Sequence, residues 1–449
     1  MTRSSAPPHS ALLRLALPIL IEQILRSLMG TVNTFMLSRI SDNASAAVGV
    51  ANQILNLVII SSTMIASGAA VLINQNLGAG NQRLSARISM NSITFSAILG
   101  MVFSTLAVTL AEPLVTLMGL EPLLVADAAV YLRIVGISCL MQYISTMIAT
   151  IFRCRGKAQF PMLIIVFNNI INLIGSLLVI YDLLPIKGVA GIACVRLLSE
   201  TLGLGLIIWM LACQRWNLQL RDLVRLDGAS IKKIASLGFM SGMEGISYNG
   251  AQLVTTSFLT QLPVAVLSAK VYTQTVNNYA YLAGLAIGSA AQILAGHMIG
   301  AGKTEEAYRF IRKSWLYVLG CNILFSVLFF TFSDGIIGLF TDSTEILSIT
   351  KTLFFIDILT CMGRSMNHSY NYGLRAAGYV FWPMIIASTS IWTLQVLLGY
   401  VLTVPVGLGI VGLWIGQTTD EWVRGLLAAF LWLRRKWVKG AVLSHAQDA

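Results

Sequence analysis

Asn76-Leu77-Gly78-Ala79-Gly80-Asn81 closes one long apolar run, and Met298-Ile299-Gly300-Ala301-Gly302-Lys303 closes another, 222 residues further on (300 − 78). The same offset carries Phe152-Arg153-Cys154-Arg155-Gly156, followed by Pro161-Met162, onto Leu374-Arg375-Ala376-Ala377-Gly378, followed by Pro383-Met384. It also carries Glu22 onto Glu244. A duplicated apolar bundle with ionisable groups at matching places in each half points to alternating access at a repeat interface, the architecture of a secondary transporter.

Composition agrees with a membrane chain. Of 449 residues, 56% are hydrophobic and 11% charged, and the mean hydropathy is +0.77, outside the range of soluble domains. Apolar runs long enough to cross a hydrocarbon core of about 30 Å fall near 12–37, 44–73, 88–111, 123–152, 160–181, 187–213, 231–260, 264–297, 310–332, 345–374, 380–404 and 408–433. The expected fold is an all-α integral membrane protein of twelve transmembrane helices. They form two six-helix bundles, residues 1–222 and 223–449, related by a pseudo-twofold axis near the membrane normal, because an even number of spans per half makes the repeats parallel. The charged stretch 214–233 is the expected linker.

Lys and Arg set the orientation. One set of loops and ends holds Arg3, Arg14, Arg83, Arg87, Arg153, Arg155, Lys157, Arg215, Arg221, Arg225, Lys232, Lys233, Lys303, Arg309, Arg312, Lys313, Arg375, Arg434, Arg435, Lys436 and Lys439, whereas the alternate loops hold Arg39 and Lys187. Both termini are therefore expected in the cytoplasm, with the chain multi-pass in the cytoplasmic (inner) membrane. Most of the net charge of +11 is explained by this sorting and by contact with anionic headgroups, so nucleic acid is not an expected partner. The six cysteines, Cys139, Cys154, Cys194, Cys213, Cys321 and Cys361, fall in apolar spans or at their ends without a CxxC pair, as buried or lipid-facing thiols. Gly78, Gly80, Gly300 and Gly302 read as left-handed caps that end helices before basic loops.

In their order, these phrases resemble the multidrug and toxic compound extrusion (MATE) family over nearly the whole chain. The resemblance rests on Leu15-Ala16-Leu17-Pro18, Ala46-Ala47-Val48-Gly49 with Ala51-Asn52-Gln53-Ile54, Gln75 through Gly80, Tyr131-Leu132-Arg133-Ile134, and the repeated Arg-x-x-Gly and Pro-Met phrases. It implies an antiporter that exports organic, cationic or amphipathic compounds by alternating access, driven by a proton or sodium gradient. The expected partners are a small organic substrate and the bilayer, the expected state is a monomer, and no cofactor or metal beyond the coupling ion is implied. Many relatives carry an aspartate where this chain has Val32-Asn33-Thr34, and a Gly-x-Pro-Ser-Gly phrase followed by glutamine where it has Gly238-Phe239-Met240-Ser241-Gly242 and Glu244. Relocated coupling carboxylates are the expectation.

Three acids are the coupling-ion candidates: Glu22, Glu244 and Asp357. Glu22 is placed about 15 Å into the first span, near the midplane, with Arg26, Met29 and Asn33 on its face; a static Glu22–Arg26 pair and a coupling role both remain open. Glu244 has no base at i±4, so apolar surroundings and a raised pKa are expected. Asp357 shares its helix with Arg364 and His368, and Lys270 in the eighth span is an alternative partner. Gln53, Asn168, Asn172, Gln274 and Asn278 offer uncharged donors and acceptors, and Met29 and Tyr248 adaptable contact, for a substrate cavity or for helix–helix joints. Arg196 with Glu200, and Asp420 with Arg424, are spaced as i,i+4 ion pairs.

The embedded bases Arg26, Lys270 and Arg364 keep a second reading open, a flippase or exporter of an anionic or lipid-linked substrate. An enzyme is not expected: HExxH, GxSxG and Walker A phrases are all missing from the sequence.

Overall fold

The computed structural model describes residues 8–38, 41–214, 216, 218–259 and 262–438, and all of their regular structure is helical. Arg3, Arg39, Arg215 and Lys439, counted in the charge asymmetry, lie outside the described residues. The long helices are α1 (Pro8–Ser38), α2 (Asp42–Gly78), α3 (Gln82–Thr109), α4 (Pro122–Cys154), α5 (Gln159–Ile180), α6 (Gly188–Ala212) and α7 (Gly228–Leu259). They continue with α8 (Val264–Ala280), α9 (Leu282–Gly300), α10 (Thr304–Thr331) and α11 (Thr344–Ala376). The last two are α12 (Phe381–Thr403) and α13 (Ile410–Leu433). With α8 and α9 taken as one segment interrupted at Tyr281, the described residues hold twelve long helical segments, six to a half.

Among the described residues, nine helices are long and apolar enough to cross a membrane on composition alone. The long helices outside that set include α1, α7 and α13, which carry Glu22, Glu244, and Asp420, Glu421 and Arg424. Large exposed side chains such as Ile174, Leu253, Leu316 and Leu426 suit contact with lipid, since the backbone of a helix has satisfied its own polar groups.

Two compact units divide the chain. One holds the residues up to Leu20, Asn74–Gly80 and Met240 onward; the other holds Ile21–Ile73 and Asn81–Phe239. In the first, the ends of α2 and α9 meet reciprocally: a Cβ on Gly78 would lie 2.0 Å from the His297 carbonyl oxygen, and one on Gly300 would lie 1.9 Å from that of Gln75. Gly78 and Gly300 therefore serve close backbone approach, a correction to their reading as caps. Gly80 and Gly302 do adopt the left-handed conformation, at φ 79° and 74°.

Further into α12, Ile391–Leu398 is wound as a π-helix. In the same unit α11 and α13 approach closely, since a Cβ on Gly425 would meet the Gly363 carbonyl oxygen at 2.7 Å. That approach brings the charged faces of the two helices together.

Candidate functional site

On α11, Asp357, Arg364, His368, Asn371 and Arg375 follow one another at intervals of seven, four, three and four residues. At 3.6 residues per turn this is one face, and 18 residues (375 − 357) rise about 27 Å, close to the hydrocarbon thickness. Opposite it, α13 presents Trp414, Asp420, Glu421 and Arg424, and α7 presents Glu244, Tyr248, Gln252 and Thr256.

A network of six charges occupies the end of this face nearest Arg375. Glu244 accepts from Arg375 Nη2 at 2.6 Å, from Arg424 Nη1 at 2.9 Å and from Asn371 Nδ2 at 2.9 Å. Arg424 Nη2 also reaches Asp420 at 2.7 Å and Glu421 at 3.2 Å, while Arg364 Nε donates to Glu421 at 2.9 Å. Asn367 donates to Glu421 and Ser390 to Asp420. Three acids thus face three arginines, and the formal charge of the cluster is zero. Buried ions are tolerated when paired and hydrogen-bonded in this way. The apolar surroundings expected for Glu244 are corrected: two guanidinium groups come from helices distant in sequence, where a search at i±4 does not look.

Asp357 is placed differently. It is 4% exposed and accepts hydrogen bonds on Oδ2 from Asn277 Nδ2 and, at 3.1 Å, from Trp414 Nε1. Both donors are neutral, and no ion pair to Asp357 exists among the described residues. Neither proposed base meets it: Arg364 is held by Glu421 and lies 4.6 Å from the centroid of the Tyr281 ring, and Lys270 donates to Thr256 Oγ1 at 2.6 Å. Between these levels Gln274 donates to Gln252, which donates to the Tyr248 hydroxyl, and the Tyr281 hydroxyl donates to Asn278. His368 lies edge-on to Tyr372, its Nδ1 buried without a bond among the described residues.

In the other unit, Glu22 is 3% exposed and holds two arginines, Arg26 at 3.2 Å and Arg153 at 2.5 Å. Arg153 is the penultimate residue of α4, beside a basic loop, and an arginine side chain spans only a few ångströms. Glu22 therefore lies near that end of the helices and not at the midplane, a correction that follows from α1 being 31 residues long, about 46 Å and much longer than the hydrocarbon core. Asn33, eleven residues further along, has a buried Oδ1 without a bond among the described residues; Met29 is partly buried. Gln53 is exposed. Asn168 packs where Gly203 leaves room, Asn172 is 6% exposed, and Asn169 ties α5 to the Leu25 carbonyl at 3.0 Å.

The MatE family profile matches residues 18–178 and again 241–401, which places the repeat 223 residues apart (241 − 18). The chain belongs to the MatE family. "Uncharacterized transporter YisQ" of Bacillus subtilis is 34% identical over 96% of this chain and 95% of its own length. "Probable multidrug resistance protein NorM" of Thermotoga maritima is 27% identical over 97% and 94%. A crystal structure described as MATE in the bent conformation shares the fold, with a TM-score of 0.90, 19% identity and 98% coverage of both chains.

In this MatE chain the duplication extends to an ion pair. Glu22–Arg153 in one unit and Glu244–Arg375 in the other are built from residues at the same offset (244 − 22 = 222; 375 − 153 = 222). All four residues are legible in the sequence, the arginines as loop charges, and the shared offset pairs each arginine with its glutamate. The third partner differs, Arg26 from the same helix in one unit and Arg424 from α13 in the other. Asn277 and Trp414 had no such signal. A narrow crevice lined by Ser241, Glu244, Asn371, Arg375, Pro383 and Met384 adjoins the second pair, with Ser241 Oγ and Asn371 Oδ1 buried and unbonded among the described residues.

Proposed function

We propose that this MatE protein is a secondary active exporter of organic cationic or amphipathic compounds, an antiporter driven by a proton or sodium gradient through alternating access. In this reading it is a multi-pass protein of the cytoplasmic membrane with both termini in the cytoplasm, and it acts as a monomer. Asp357 is its coupling group. The observation that carries this assignment is that Asp357 alone of the three candidate acids has only neutral partners among the described residues, whereas Glu22 and Glu244 are each held by two arginines. A buried carboxylate held by neutral donors gains most from a proton or a cation. One already facing two guanidinium groups gains least.

The test is export of a fluorescent organic cation from proteoliposomes, with a pH gradient and a sodium gradient imposed separately. Asp357→Asn should reduce gradient-driven export to the uncoupled leak while leaving a folded protein. Full gradient-driven export by that variant would remove Asp357 from the mechanism. One observation favours the alternative, an anionic or lipid-linked substrate: Lys270 is 2% exposed and its bond is to neutral Thr256. On that reading Lys270→Met abolishes transport of an anion and spares that of a cation.

A further inference from the structure

A turn that occurs twice provides its own control. The chain leaves α4 through Arg153-Cys154-Arg155-Gly156-Lys157 and α11 through Arg375-Ala376-Ala377-Gly378-Tyr379. Gly156 N–H donates to the Arg153 carbonyl and Lys157 N–H to that of Phe152, each at 2.9 Å; Gly378 and Tyr379 repeat both bonds on Arg375 and Leu374 at the same distance. Gly156 and Gly378 share a φ of 77°, the left-handed position that glycine fills at a helix end. Arg155 and Ala377 hold the same place. The turn therefore needs no base there.

Arg155 is nevertheless 8% exposed, and its Nε and Nη2 are buried with no acceptor among the described residues. These two nitrogens form one edge of the guanidinium, the fork that binds a carboxylate or phosphate bidentately. Burial lowers the Arg155 pKa from its ordinary value, but a guanidinium remains charged at neutral pH. One face is covered by Trp216, whose ring centroid lies 4.7 Å from Cζ. Lys157 Nζ lies 5.5 Å from the same ring and 2.6 Å from Gln214 Oε1. A buried cation without an acceptor is costly unless an anion completes it. Aromatic rings beside bases at the end of a bundle are the usual setting for a lipid headgroup.

We propose that the Arg155 fork and Lys157, walled by Trp216, bind a phosphate group at the basic end of the unit that contains α3 to α6. The phosphate comes from an anionic phospholipid or from solution, and the second repeat, with Ala377 and Tyr379 at the matching places, lacks the site.

The test uses the full chain purified in detergent, titrated with phosphatidylglycerol, with a neutral glycolipid of the same acyl chains, and with inorganic phosphate against chloride at equal ionic strength. Thermal unfolding midpoint and lipid retained in native mass spectrometry are read for wild type, Arg155→Ala and Lys157→Ala. Phosphatidylglycerol should raise the midpoint where the glycolipid does not, and Arg155→Ala should raise the half-saturating concentration roughly tenfold to a hundredfold, the loss expected when charge-assisted hydrogen bonds are removed. Arg155→Ala installs the side chain that the second turn already carries; Lys157→Ala gives an independent reading if it does not fold. An equal response to inorganic phosphate identifies a soluble source and keeps the site. Identical responses of wild type and both variants, or no response of wild type to either phosphate source, overturn it.

Discussion

Glu22 and Glu244 were the carboxylates most prominent in the sequence, and both turn out to be neutralised where they stand. Arg153 is nearer to Glu22 than Arg26 is and less exposed, 22% against 46% of its side chain. Glu22→Gln should therefore destabilise by up to about 3 kcal/mol, the scale for leaving a partly buried charge unpaired. Stability should return with Arg153→Gln added and much less with Arg26→Gln added, as read by thermal unfolding in detergent. Equal recovery by the two double variants would argue that Arg153 is not the principal partner. Glu244→Gln should destabilise as well, because it leaves three arginines facing two acids in a buried network, with Arg424 still held by Asp420 and Glu421. Its loss of transport should then track its loss of folded protein; full stability with no transport would return Glu244 to the coupling machinery.

Between helices, the reciprocal glycine contact sets how closely α2 and α9 pass. Gly78→Ala or Gly300→Ala places a Cβ about 2 Å from a backbone oxygen, so either should abolish the folded protein in membranes. Gly320, on α10, has nothing within 4 Å of its would-be Cβ, and Gly320→Ala should be neutral or stabilise by less than about 1 kcal/mol; measured expression and melting should separate the two classes. The glycine phrases were plain in the sequence, as were twelve spans and the duplication, because apolar length and repeated small residues are local signals. Less visible was which charges meet. Arg375 to Glu244 and Arg364 to Glu421 join residues 131 and 57 apart (375 − 244; 421 − 364), a separation on which helical periodicity is silent. The break at Tyr281 and the π-turn at Ile391–Leu398 were likewise hidden, since neither changes the apolar character of its span.

For the whole molecule, the sorting of Lys and Arg predicts which ends face the cytoplasm. Cys213 is exposed at the end of α6 that carries the basic loops, while Leu183, 69% exposed, lies in a loop at the opposite end. A membrane-impermeant thiol reagent applied to intact cells should label Leu183→Cys and leave Cys213 untouched until the membrane is opened; labelling of Cys213 in intact cells would invert the topology. The contact of Gly78 with His297 and of Gly300 with Gln75 has a further consequence. Each residue and its mate in the other repeat exchange roles (78 + 222 = 300; 75 + 222 = 297), which is the pattern of an isologous interface between two copies of one subunit. Such a contact is self-complementary and does not depend on the peptide that joins the copies. Severed after residue 222 and co-expressed, the two fragments should assemble into a complex that survives purification, and Gly300→Ala in one fragment should prevent it; fragments that never associate would show that the linker, and not this contact, holds the repeats together.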